Sequence, residues 1–268
     1  MKTESRRALG ALGVGALLVA CVLVLAETTS GQTWALPTVR GLWRELRERA
    51  VPQELALDLL ATAARVLTGV AVAVPCGGAL GLALAAQRRT WRYAEPVTEF
   101  VRAVPPALLY PMCLLAFGYG EGARIATIAL GNSALVLVHV ARSLATAPTA
   151  RGEAATIAGL SRWQRARSVE FYELLPGLLS GTRFALAGGL VVSVVTEMLV
   201  GARHGLGARA QMALIEYRPE ALWLVVALAG ALGSALVLAV GVLERRWTPW
   251  VWEAEHARDR AVPSDRSA

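Results

Sequence analysis

Residues 57–86 read LDLLATAARVLTGVAVAVPCGGALGLALAA. Within this run only Asp58 and Arg65 carry a formal charge at pH 7. A helix needs about 20 predominantly apolar residues to cross a hydrocarbon core some 30 Å thick, and this run is long enough. It also carries small residues at every fourth position, Gly69, Ala73, Gly77, Gly81 and Ala85. A row of that kind lets a second helix backbone approach closely, so the segment reads as a membrane helix packed tightly in a bundle. Working outward, further apolar runs occupy Ala8–Ala26, Val101–Phe117, Arg124–Ala147, Leu178–Val200 and Ala221–Leu243. In lipid each backbone polar group must be satisfied within its own segment, so these runs are predicted to be helices. The expected fold class is therefore an all-α integral membrane protein with about six transmembrane helices. The 55% hydrophobic content and mean hydropathy of +0.48 agree with that class.

The first run, Ala8–Ala26, follows Lys2, Arg6 and Arg7 and is read as a retained membrane anchor. It is long for the apolar part of a signal peptide, and no clear small-residue cleavage site closes it. Ala227, Ala231, Ala235 and Ala239 repeat the small-residue device on the last helix, which predicts a second close helix–helix face. Pro105, Pro106 and Pro111 interrupt the third run, so the chain is expected to kink or break between Arg102 and Pro111. Between the first two runs, Leu42, Trp43, Leu46 and Ala50 recur at helical spacing opposite Arg40, Arg44, Glu45, Arg47 and Glu48. That pattern predicts a short amphipathic helix at the membrane interface.

The net charge of +7 raises the question of a nucleic-acid partner, and the placement of the charges answers it. Segments 1–7, 87–99, 148–177 and 244–268 hold 15 Lys and Arg residues, whereas 27–56, 118–123 and 201–220 hold 7. Basic loops stay inside, so both termini are expected in the cytoplasm, and the charge calls for no nucleic acid. Cys21, Cys76 and Cys113 lie singly within apolar runs, which supports neither a disulfide framework nor a metal site. Ionisable side chains within membrane runs are functional candidates, here Arg65, His139, Arg183 and Glu197. Arg65 is a candidate partner for Asp58, two helical turns away. His139 is expected to bond between helices, Arg183 to snorkel to the inner interface, and Glu197 to lie near the outer end. An anionic solute would bring Arg65 and Arg102 into play.

The internal loop 148–177 is the most informative non-membrane stretch. It predicts a short helix over Arg151–Ala158, capped by Thr149, with Ala154, Ala155 and Ala158 making its exposed side small and Gly159 turning the chain. A second helix is expected over Ser161–Leu174, capped by Ser161, before Pro176 and the fifth membrane helix. Such a unit has the shape of a docking element. Its Glu153-Ala154-Ala155-x-x-x-Gly159 pattern resembles the EAA motif of permease subunits of binding-protein-dependent ABC importers. Arg102-Ala103-Val104-Pro105-Pro106, with Leu109, Pro111 and Phe117-Gly118, is similar to a segment of the nitrate/sulfonate/taurine subfamily. So are Leu174-Leu175-Pro176 with Gly181-x-Arg183-Phe184-Ala185-Leu186, and Glu197 followed by Gly205-Leu206-Gly207. Tyr172 stands where the subfamily usually carries a first proline.

The resemblance implies a type I ABC importer permease bundle in a bacterial plasma (inner) membrane. It divides the chain into an anchor and external segment (1–56), a permease core (57–246) and a cytoplasmic tail (247–268). It implies a homodimer in the lipid bilayer, two copies of an ABC ATPase subunit that hold the ATP, and an extracytoplasmic solute-binding protein. Glu153, Ala154, Ala155, Gly159 and Pro176 become the expected ATPase-coupling residues. Arg65, Arg102, His139, Arg183 and Glu197 become candidate pathway residues. The chain carries no G-x-x-x-x-G-K-[ST] sequence of its own, so ATP hydrolysis is assigned to the partner and no catalytic or metal role to this chain. A secondary transporter would show an inverted repeat and paired mid-membrane carboxylates, and a membrane enzyme would show convergent His, Asp or Glu. Neither pattern is present in the sequence.

Overall fold

A computed structural model of the chain describes residues 37–49, 52–85, 88–147 and 149–251. All regular elements among them are helical. Helix α1 (Val39–Arg44) starts at Thr38, whose Oγ1 accepts from the Gly41 amide at 3.0 Å, and runs on as a wider turn over Glu45–Arg49. Four helices are long and apolar enough to cross a membrane. They are α2 (Pro52–Ala85), α5 (Glu121–Ala145), α8 (Phe171–Val200, continuous from Trp163) and α10 (Pro219–Trp247). A bent pair passes the same test only when its halves are taken together, as one broken span or a re-entrant loop. Helix α3 (Arg88–Ala103) ends before Pro105, a short 3-10 turn follows over Pro106–Leu109, and α4 (Tyr110–Phe117) departs at 83°. The prolines account for the break, since each removes a donor and Pro105 holds Val104 out of the helical region. The remaining elements are α6 (Thr149–Ile157), α7 (Arg162–Arg165) and α9 (Leu206–Ile215). The expected first span, Ala8–Ala26, lies outside the described residues.

The centre of the bundle is α5, held between α2 and α8. Lipid gives no hydrophobic drive for one helix to seek another, so close packing must hold them together. The α2 glycines allow it. A Cβ placed on Gly69 would lie 2.5 Å from Ile128, on Gly77 2.3 Å from the Ser133 carbonyl, and on Gly81 2.7 Å from the Leu137 carbonyl. From the other side, a Cβ on Gly177 of α8 would meet the His139 carbonyl at 2.6 Å. Val66, Val70, Ile128, Val136, Ala185, Leu186 and Leu190 fill the space between.

Three expectations change. The small row of α10 does not face the bundle: Ala227, Ala231, Ala235 and Ala239 are exposed, and Leu232, Leu236 and Val240 pack inward instead. Small size permits close approach but does not say from which side. Glu45 is not on an open polar face either, because it is buried against the Arg218 guanidinium. Finally, no break precedes the fifth membrane helix. From α7 the chain continues through a widened turn, Ala166–Glu170, into α8, and Pro176 lies inside that helix. With Tyr172 in place of a first proline, one proline alone leaves the helix unbroken.

Candidate functional site

The chain presents two polar regions at opposite ends of the bundle. At the end that joins α5 to α8, α6 closes with Gly159 at φ +70°. The Leu160 amide donates to the Ala155 carbonyl at 3.1 Å and the Gly159 amide to the Thr156 carbonyl at 3.0 Å. This paired closure needs a left-handed residue, which glycine supplies without the Cβ penalty of about 1–2 kcal/mol. The next helix opens with a reciprocal cap. The Ser161 amide donates to Gln164 Oε1 at 2.9 Å and the Gln164 amide to Ser161 Oγ at 3.4 Å.

Glu153, Ala154 and Ala158 are exposed on α6. Ala155, expected beside them, is buried instead, because a one-residue step turns it about 100° toward the bundle. Around Gly159 the surface is apolar: Ile157 is 88% exposed and Trp163 76%, with Leu160 between them. Behind α6 lies a cleft of about 680 Å³ lined by Trp91, Leu144, Glu153, Glu170 and Glu173.

The opposite end holds a buried ionic network. On α2, Asp58, Thr62 and Arg65 project from one face at spacings of four and three residues. Glu197 of α8 is fully buried. It accepts from Arg65 at 2.7 Å, from Thr62 Oγ1 at 3.0 Å, from Ser193 Oγ at 2.9 Å and from the Gly207 amide at 2.8 Å. Thr62 Oγ1 in turn accepts from the Leu206 amide at 2.9 Å. Asp58 accepts from the Gly205 amide at 3.0 Å and from Arg209 at 2.6 Å. Arg65 completes its fork on Glu121, with its Nε at 2.5 Å and its second terminal nitrogen at 2.8 Å. The loop from α8 to α9 is thus bound to α2 through backbone amides that its glycines leave uncovered. A Cβ on Gly205 would lie 2.5 Å from Glu197, and one on Gly207 2.2 Å from the Val194 carbonyl.

Arg65 therefore pairs with Glu197 and Glu121, and the expected Asp58 partnership does not form. Thr62, Glu121, Ser193 and Arg209 were not singled out by the sequence. The signal available was spacing, since Ser193 precedes Glu197 by one turn, as Thr62 precedes Arg65 and Asp58 precedes Thr62. The other candidates do not join this network. Arg102 and Arg142 share Glu99, at 2.5 and 2.6 Å. His139 stacks on Phe184 at 4.7 Å between ring centres, with Ser180 Oγ 3.4 Å from its Nδ1, so it sits between α5 and α8. Arg183 reaches Glu244 of α10 at 3.0 Å. The described residues hold no group of three His, Cys, Asp or Glu side chains that could bind a metal ion.

Residues 73–251 match the family described as the inner membrane component of binding-protein-dependent transport systems. The matched region runs from mid-α2 past the end of α10 and includes α6. The chain belongs to this family. It is 28% identical to the Escherichia coli taurine transport system permease TauC over 256 residues, covering 94% of this chain and 93% of that one. It is 24% identical to the putative aliphatic sulfonates transport permease SsuC of Bacillus subtilis, covering 88% and 87%. Its fold is shared with a chain of the inward-facing MetNI methionine ABC transporter, at a TM-score of 0.60 and 24% identity, over 74% of this chain and 99% of that one. The chain is thus an inner-membrane transport subunit of a type I ABC importer. It is a non-catalytic translocation component that works with an ATPase and a solute-binding protein.

Proposed function

We propose that two copies of this chain form the pathway, that two ATPase subunits carrying ATP dock on α6, and that both chain ends lie on that cytoplasmic side. The observation that carries the docking assignment is the surface around Gly159. Ile157, Leu160 and Trp163 expose apolar area at a tight turn outside the membrane runs, next to the exposed Glu153, Ala154 and Ala158. Exposed apolar area rimmed by polar groups is characteristic of a protein–protein contact. The excess of arginine on the same side as α6 supports the orientation.

The cargo we assign is a small anion of the sulfonate or taurine type, handed over by the extracytoplasmic binding protein. The full-length similarity to the taurine and aliphatic sulfonate permeases supports it. ATP binding draws the ATPase subunits together, the two α6 helices follow, and the rigid α2–α5–α8 packing carries the motion to the far end. Ala155 and Gly159 are the positions where this coupling is most exposed to size. Enlarging Ala155 pushes α6 off the bundle, and a side chain on Gly159 strains the turn. In proteoliposomes holding permease, ATPase and binding protein, Ala155→Leu or Gly159→Val should abolish ATP-driven taurine uptake while insertion and dimer formation persist. Uptake at the unaltered rate in either variant would overturn the docking assignment.

A further inference from the structure

Helix α8 is weakest at the end nearer α6. Pro176 has no amide hydrogen, so the carbonyl of Tyr172, one turn earlier, loses its usual donor, and the proline ring crowds that same carbonyl. Helices bend at such positions. The chain before the proline belongs to the docking unit proposed above. The Ala166–Glu170 turn joins α7 to α8 without a break, and on α6 the Arg151 guanidinium lies 3.8 Å from the Glu173 carboxylate. Whatever fixes the angle at Pro176 therefore fixes where α6 and α7 stand against the rest of the bundle.

Two neighbours grip α8 there. On the α5 side, Ser143 Oγ donates to the Glu173 carbonyl at 2.7 Å. On the α10 side, the Tyr172 ring meets the Trp250 ring edge-on at 5.5 Å between centres, and Phe171 stands edge-on to Tyr172 at 5.9 Å. Trp250 lies beyond α10. That helix closes at Thr248, whose amide and Oγ1 both donate to the Glu244 carbonyl, at 2.8 and 2.7 Å, and the chain starts a new turn at Pro249. Thr248 is 1% exposed, so this corner is built into the fold. Beyond the proline, Arg183 reaches Glu244 at 3.0 Å. Tyr172 and Arg183 are eleven residues apart, about three helical turns, so they meet the α10 end along one side of α8 with Pro176 between them.

We infer that residues 248–251 form a splint across a hinge at Pro176, and that Trp250, acting through Tyr172, is a positioning residue for the ATPase-docking unit. Its use in transport rests on the docking reading above; the splint itself does not. An edge-on aromatic pair shifts an equilibrium by about two- to tenfold, enough to set how often α6 stands ready without freezing it. The Arg183–Glu244 pair is nearly half exposed on the arginine side, so it guides the alignment and adds little strength. The competing role for Trp250 is that of an aromatic anchor in the lipid interface, which would make it equivalent to the exposed Trp247.

In nanodiscs holding the full-length chain, amide hydrogen exchange over residues 149–175 is compared among variants. Neither Tyr172 nor Trp250 belongs to the buried core, so truncating either leaves the bundle intact. Trp250→Ala should speed exchange there about two- to tenfold. Tyr172→Ala should do the same, and the double variant should exceed neither. Trp250→Phe, which keeps an aromatic edge, should restore the unaltered rate, and Trp247→Ala should leave it untouched. In proteoliposomes with ATPase and binding protein, Trp250→Ala should lower the taurine taken up per ATP hydrolysed by a similar factor, with Trp250→Phe again restoring it. Unaltered exchange in Trp250→Ala, or an equal effect from Trp247→Ala, overturns the splint. Additive effects in the double variant overturn the route through Tyr172. Faster exchange with unaltered uptake per ATP overturns the positioning role and leaves the ATPase docking standing. Failure of the ATPase to purify with the unaltered chain overturns the docking reading, and the exchange comparison still decides the splint.

Discussion

The two ends of this bundle solve opposite problems. At the end built from α2, the start of α5 and the α8–α9 loop, charge is turned inward. Glu197, Arg65, Thr62 and Ser193 satisfy one another out of water. At the α6 end, charge is spread over the surface and apolar side chains stand outward, with Ile157 and Trp163 among the more exposed hydrophobic residues. A network closed on itself makes a rigid end that moves as one piece. A surface left uncovered belongs to an interface. On the docking proposed above, force would enter the subunit at the α6 end and be delivered at the other.

The comparison can be broken most sharply at Glu197. Glu197→Ala would leave two hydroxyls, the Gly207 amide and one terminal nitrogen of Arg65 without their acceptor, and loss of one partner of a buried pair costs about 3–5 kcal/mol. Thermal unfolding in detergent should show the loss; an unchanged midpoint would mean that the network does not hold this end together. Gly77→Val comes next. The Ser133 carbonyl is backbone and cannot move aside, so overpacking of about 1–3 kcal/mol or more is expected, seen as a lower monodisperse yield by size-exclusion chromatography.

Gly159→Ala sharpens the contrast from the other end. Its φ of +70° carries a penalty of about 1–2 kcal/mol, but on an exposed turn where the added methyl meets no other atom. It should reduce ATP-driven uptake while the global unfolding temperature falls by only a few degrees, about 2–4 °C for each kcal/mol. Smallest of all is Arg183→Ala. Its pair with Glu244 is nearly half exposed on the arginine side, so less than about 1 kcal/mol is at stake and thermal unfolding should barely register it.

Much of the bundle was legible in the sequence because lipid leaves few options. Long apolar runs must be helices, and three prolines within seven residues must break one. What could not be read was direction. The sequence groups Ala154, Ala155 and Ala158 as the exposed small side, whereas the bundle takes the face at Ala155, and periodicity alone does not say where that boundary falls. The same gap hid the outward-facing alanines of α10. In the ionic network, Arg65 and Glu197 stood out as charges in apolar runs, yet their pairing depends on α8 approaching α2, and no local spacing encodes that. Glu121 drew no notice because an acidic residue at a helix start suits the helix dipole anyway. The Gly159 turn and the Ser161 cap, both local, were read correctly.

The central claim is that α6 and the turn after it receive the ATPase. The most direct test co-expresses the chain with the ATPase subunit of its own transporter and measures how much ATPase purifies with it. Ile157→Ser combined with Trp163→Ser should lose most of the bound ATPase while the permease unfolds at its usual temperature, since neither side chain is buried in the chain itself. ATPase recovered in undiminished amount with the double variant would contradict the account.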